Sequence, residues 1–122
     1  MRLYTENYLW VEHADSCCRL GLSRYAVKKL NKILFFDFMV SPDDFCDSKK
    51  QIALLESIKI VWEITSPFPL KVKAVNQKLT ESPDILNSDP ESGNAWLIVF
   101  CAPSMPEGLM TNEQFEKYIA NQ

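Results

Sequence analysis

One lysine in this chain stands where an acylation handle would. In Leu54-Leu55-Glu56-Ser57-Ile58-Lys59-Ile60, followed by Ser66-Pro67, Lys59 lies between two apolar, strand-prone runs. A tight turn at that point would lift its amine into solvent. A primary amine on a rigid projecting turn can be acylated by a ligase, and the attached group can then swing between active sites. In such a carrier the chemistry belongs to the attached cofactor, and the protein supplies attachment and orientation. A lysine amine is protonated at neutral pH and is a weak nucleophile in that form. The base that frees it must therefore come from the ligase. Glu56, a carboxylate beside a cation, reads as a recognition element for that enzyme rather than as an activator.

Other chemistry is hard to build from these residues. The three glycines, Gly21, Gly93 and Gly108, make no phosphate-binding loop. The single histidine, His13, sits between Glu12 and Asp15, and neither a Ser-His-Asp nor a Cys-His arrangement can be assembled around it. It also cannot anchor a zinc or iron site, because the four cysteines include no Cys-x-x-Cys pair. Cys17 and Cys18 are chain neighbours with Cα atoms ~3.8 Å apart, tighter than disulfides favour. All four thiols read as reduced and structural. Asp43-Asp44 follows Pro42 in a turn signal and reads as solvated. No catalytic residue and no metal ligand is assigned, and an independent enzyme is not expected.

The chain of 122 residues has room for one domain, residues 1–122, with a real core. Its hydrophobic fraction of 47% and charged fraction of 24% are ordinary for a soluble protein. A net charge of −3 argues against nucleic acid as the main partner, because phosphate binding needs a basic face. Lys28, Lys29, Lys32, Lys49 and Lys50 read as solvated surface. No apolar run approaches the ~20 residues that span a bilayer. The N-terminal stretch from Met1 to Asn7 has neither a signal-peptide core nor a basic transit pattern. A cytoplasmic monomer with no membrane contact is the expectation.

The elements that must hold Lys59 are mostly strands. Leu9-Trp10-Val11 and Arg19-Leu20-Gly21-Leu22 are short strand candidates, with Gly21 marking a bulge or a close backbone approach. Ser23 is placed to cap a helix through Leu30 that buries Ala26, Val27 and Leu30. The aromatic, branched run 33–40 predicts a buried strand ended by Ser41-Pro42-Asp43-Asp44. Residues 51–64 predict a strand, a turn near Lys59 and a returning strand. Residues 70–75 alternate with period two, as a half-buried strand does. Ser82-Pro83 predicts a helical turn with proline at its first position. Residues 95–101 predict the last strand. Thr111 with Gln114 forms a capping box, ahead of a closing helix with Phe115, Tyr118 and Ile119 on one stripe. The sum is a mostly β (α+β) chain, a compact barrel or sandwich with small flanking helices and a C-terminal helix.

Taken in order, these residues resemble the glycine cleavage system H protein, a family of small lipoyl carriers. The resemblance runs through Tyr4-Thr5 with Trp10, Gly21-Leu22-Ser23-Arg24-Tyr25-Ala26, Glu56-Ser57-Ile58-Lys59-Ile60 with Ser66-Pro67, Val75-Asn76, Asn87-Ser88-Asp89-Pro90 and Trp96-Leu97-Ile98. It covers residues from about 4 to 119 with near-family spacing. The resemblance implies a lipoyl-domain-like barrel-sandwich hybrid with lipoate covalently attached to Lys59. Glu56, Ser57 and Ile58 would serve recognition by a lipoyl ligase or transferase. It implies work in glycine catabolism and one-carbon metabolism: taking an aminomethyl group from glycine decarboxylase (P-protein), passing it to the aminomethyltransferase (T-protein), and reoxidation by dihydrolipoyl dehydrogenase (L-protein).

The chain departs from the family pattern at several points. Tyr8 replaces histidine, Asn31 stands where a turn glycine is expected, and Phe68-Pro69-Leu70 replaces a glycine hairpin. Asparagine tolerates the left-handed region, whereas leucine does so poorly, so the second turn should change shape. Ile60 and Trp62 replace small residues beside the arm and offer it either a resting surface or a different partner; alternatively, Trp62 simply packs on the barrel. An H-like lipoyl relay or regulatory role outside glycine catabolism is the alternative. A biotinyl carrier is a further one, suggested by Ile58-Lys59-Ile60, although Glu56-Ser57 and the chain ends argue against it.

Overall fold

The computed structural model describes residues 2–102 and 107–122. Nine strands form two antiparallel sheets among these residues. In chain order the strands are β1 (Arg2–Tyr4), β2 (Leu9–Ala14), β3 (Cys17–Leu22), β4 (Ile33–Phe38), β5 (Phe45–Cys46), β6 (Gln51–Ser57), β7 (Val61–Thr65), β8 (Leu70–Val75) and β9 (Trp96–Cys101). Four helices accompany them: α1 (Arg24–Leu30), α2 (Lys78–Glu81), α3 (Asp84–Ser88) and α4 (Asn112–Ala120). One sheet has the order β1-β2-β3-β9-β8-β5 and the other β4-β6-β7. Leu20, Leu70, Val72 and Phe100 from the first sheet share a single core with Phe36, Ile52, Leu55 and Ile64 from the second. The mostly β class expected from the sequence is what forms.

Local chemistry explains the helices. The Ser23 hydroxyl accepts from the Ala26 amide at 3.2 Å and caps α1, whose buried face is Ala26, Val27 and Leu30. Thr111 and Gln114 make both halves of the capping box that starts α4. Phe115 of that helix stacks on Tyr4 with ring centroids 4.6 Å apart, and Trp10 joins them in a second, smaller core. Gly21 is both things its position suggested. The β3–β9 register shifts between Leu20 and Gly21, and a Cβ on Gly21 would collide with the Trp10 indole.

Some expectations shift. The strand expected over 33–40 ends at Phe38, and Pro83 sits at the N-cap of α3 instead of inside it. β1, β5 and α2 had no sequence signal strong enough to be expected. Asn31 adopts φ 71, as its place in a glycine-type turn anticipated. No residue of Phe68-Pro69-Leu70 has a positive φ.

Candidate functional site

The β6–β7 hairpin carries Lys59 at its tip. Glu56 pairs with Val61 across the two strands, leaving Ser57-Ile58-Lys59-Ile60 as the connection. Ser57 organises this turn. Its amide donates to the Ile60 carbonyl at 2.9 Å. Its hydroxyl accepts from the amides of Lys59 at 3.1 Å and Ile60 at 3.0 Å, and donates to the Ile60 carbonyl at 3.1 Å. The turn is also tied to the body of the protein, because the Ile58 amide donates to the Lys32 carbonyl at 3.0 Å. That carbonyl is held in place by its neighbour. The Asn87 side chain accepts from the Ile33 amide and donates to the Ile33 carbonyl, both at 2.9 Å. The asparagine of Asn87-Ser88-Asp89-Pro90 therefore pins the strand that buttresses the lysine turn.

Lys59 itself is exposed, and no ion pair involves it among the described residues. Its ammonium is open to an approaching enzyme. Around it lies an apolar fringe in which Ile58 is 57%, Ile60 54% and Val61 60% exposed. Glu56 is exposed on β6, flanked by Phe35 on β4 and Val61 on β7 in the sheet register. A β-bulge between Ile33 and Phe35 turns both Leu34 and Phe35 outward, which extends the fringe. The result is one carboxylate set in an apolar band beside an accessible amine. Such a surface suits contact with another protein.

A groove of about 320 Å³ opens beside the turn, lined by Tyr8, Tyr25, Ala26, Lys29, Leu30, Ile60 and Trp62. Three separate segments build it. Tyr8 has φ 71 in the turn before β2, and its ring lies 5.4 Å from that of Tyr25 on α1. Trp62 lies on β7, opposite Leu55, and is half-buried against the main core. Trp62 thus packs on the barrel with one part, and its other part lines the groove. Lys29 is the charged residue of the lining, with its Nζ 5.6 Å from the Tyr25 ring centroid. The sequence singled out Tyr8, Ile60 and Trp62 one by one. Their convergence with Tyr25, Lys29 and Leu30 was not visible in it, although Tyr25-Ala26 closes the family-like segment that begins at Gly21.

Val75-Asn76 also finds its reason here: the buried Asn76 amide donates to the carbonyls of Asn94 at 2.9 Å and Trp96 at 2.8 Å. His13 is exposed, and no cluster suited to a metal ion occurs among the described residues. Asp43 is exposed and Asp44 accepts from the Ser41 amide in a local turn. No helix of the described residues is long and apolar enough to cross a membrane.

Comparison with known proteins agrees with this arrangement. A family model described as "Glycine cleavage H-protein" matches residues 2–122. The chain is 35% identical over 116 residues to a glycine cleavage system H protein of Tropheryma whipplei, covering 95% of this chain and 92% of that one. It is 32% identical over 120 residues to a probable glycine cleavage system H protein of Natronomonas pharaonis, covering 98% and 94%. In fold it superposes on the crystal structure of a glycine cleavage system H protein from Mycobacterium marinum with a TM-score of 0.81, at 23% identity over 98% of this chain and 94% of the other. A match that spans both sheets, the lysine hairpin and the closing helix leaves one assignment: this chain belongs to the glycine cleavage H-protein family.

Proposed function

We propose that this chain, with residues 1–122 acting as one unit, is the lipoyl carrier of the glycine cleavage system, with lipoate joined as an amide to Lys59. The observation that carries the reading is an exposed, unpaired lysine on a buttressed turn in a chain of this family. Acylation removes the ammonium charge, and no ion pair among the described residues is broken by it. The residues present fit the group: Tyr8, Tyr25, Leu30, Ile60 and Trp62 offer its apolar chain and ring a groove at the foot of the turn. When bound, the group supplies a dithiolane that takes up an aminomethyl unit and gives it on as a one-carbon unit. The chain is not itself an enzyme. Its residues hold the attachment point and present the surfaces that partners read.

Ser57 shapes the turn for the lipoyl ligase or transferase, Glu56 offers the enzyme a charge, and Ile58 offers apolar contact. Glycine decarboxylase, the aminomethyltransferase and dihydrolipoyl dehydrogenase are the partners the carrier visits, in the cytoplasm and as a monomer. Tethering is what the carrier contributes to rate, since it raises the effective concentration of the carried group at each active site. The test is intact mass of the chain produced in a host with active lipoyl ligase. One lipoyl increment on Lys59 is expected, with loss of that increment and an unchanged circular dichroism spectrum in Lys59→Arg. An unmodified Lys59, or acylation that persists in Lys59→Arg, overturns the assignment. Glycine–bicarbonate exchange with a purified glycine decarboxylase then tests the pathway.

A further inference from the structure

We propose that Cys17 and Cys101 form a reversible redox pair, in which a small anionic disulfide of the glutathione type converts two half-exposed thiols into a cross-strand disulfide. The sheet register puts them together. β3 and β9 pair Cys18 with Phe100 and Arg19 with Val99, so one further step along the same register sets Cys17 opposite Cys101. Their sulfur atoms lie 2.8 Å apart. Residues directly opposite in an antiparallel pair have Cα atoms ~4.5–5.5 Å apart, within the range that a disulfide spans. The adjacent Cys17 and Cys18 point to opposite faces of β3, which separates a reachable thiol from a buried one. Cys18 and Cys46 are buried in the core, whereas Cys17 and Cys101 are each partly open to solvent.

The surroundings give the pair a direction and a reagent. The hydrogen bond with Cys17, and then burial, push the Cys101 thiol above its usual range. Either thiol can donate in this contact, but the contact and burial disfavour the Cys101 thiolate, so Cys17 attacks first. Lys71 stands opposite Cys101 on β8, and the charge of Lys73 also acts on Cys101. Both lysines are exposed. This cationic edge draws in an anionic disulfide. Cys17 loses its proton to solvent, and its sulfur attacks one glutathione sulfur. The S–S bond of the reagent breaks, and the first glutathione leaves as a thiolate that takes up a proton. Cys101 then loses its proton and attacks the Cys17 sulfur, which expels the second glutathione. Two protein thiols are oxidised to one disulfide while one glutathione disulfide is reduced to two thiols. The new bond staples β3 to β9, the middle pair of the six-stranded sheet. It constrains the unfolded chain, so the oxidised form melts at a higher temperature.

The full chain without lipoate, incubated with glutathione disulfide and quenched by alkylation, tests this free of competing dithiol chemistry. The expected result is a mass loss of two hydrogens, a cross-linked fragment joining the peptides of Cys17 and Cys101, a thermal midpoint several degrees higher, and full reversal by dithiothreitol. Cys101→Ser should stop at a stable glutathione adduct on Cys17, with its fold checked by circular dichroism. A glutathione adduct that persists on the unsubstituted chain, a cross-link between other cysteines, or no reaction while a reference thiol peptide is oxidised would each refute the pair.

Discussion

Replacing Ser57 by alanine tests how the lysine turn is held. The hydroxyl makes three contacts within the turn, accepting from two amides and donating to one carbonyl. Two backbone bonds survive its removal, Ser57 N–H to the Ile60 carbonyl and Ile58 N–H to the Lys32 carbonyl. The turn should therefore loosen without coming undone. A hydrogen bond contributes a net ~0.5–1.5 kcal/mol, and at an exposed site water partly replaces each lost partner. About 1 kcal/mol is a reasonable sum for the local closing equilibrium, which is a factor of about five in its constant. Amide hydrogen exchange reads this directly: the Lys59 and Ile60 amides lose their acceptor and should exchange at least about fivefold faster, while amides of β6 and the core keep their protection. Global stability should change by less than about 0.5 kcal/mol, as for most surface substitutions. The loss in acylation by a lipoyl ligase that comes from loosening should not exceed the same factor, because the enzyme needs only the closed fraction. Ser57→Thr retains the hydroxyl and should restore most of the protection. Unchanged exchange at Lys59 and Ile60 in Ser57→Ala would refute the claim that the side chain, and not the backbone alone, shapes the tip.

Two further perturbations address the frame. Gly21→Ala drives a Cβ into the buried Trp10 ring, whose indole N–H donates to the Pro90 carbonyl at 2.9 Å. Overpacking should cost ~1–3 kcal/mol, lowering the melting midpoint by several degrees. An unaltered calorimetric midpoint would contradict the close packing. Tyr4 keeps its proton to higher pH than an ordinary tyrosine, first because it is buried and then because its hydroxyl donates to Glu91 at 2.6 Å. Its folded pKa is raised, so the stability it contributes is present in full below pH ~10 and is lost as pH rises beyond that. Tyr4→Phe should melt at a lower temperature at neutral pH yet show a shallower decline on the alkaline side. A parallel decline in the two proteins would remove Tyr4 from the account.

What could be read from the chain was local or periodic. Ser23 before α1 and Thr111 with Gln114 before α4 satisfy orphan amides within a single turn, so their meaning lies inside a few residues. The alternation through β8 and the apolar runs flanking Lys59 announce strands and the connection between them. Asn31 could be matched to its positive φ because that tolerance belongs to the residue type. β1 and β5 gave no comparable signal, being three and two residues long. They are strands only because β2 and β8 present unpaired edges to them.

By itself, then, the order of residues determined the mostly β class, the capped helices and the lysine whose turn faces outward. Only the tertiary structure decided what surrounds that lysine. Tyr8, Tyr25 and Trp62 come from three segments and line one groove because the two sheets close over a shared core. Cys17 and Cys101 are far apart along the chain, and the β3–β9 register makes them neighbours. Pairing of this kind depends on the summed burial of whole faces and the register that burial selects, so no short window of sequence contains it.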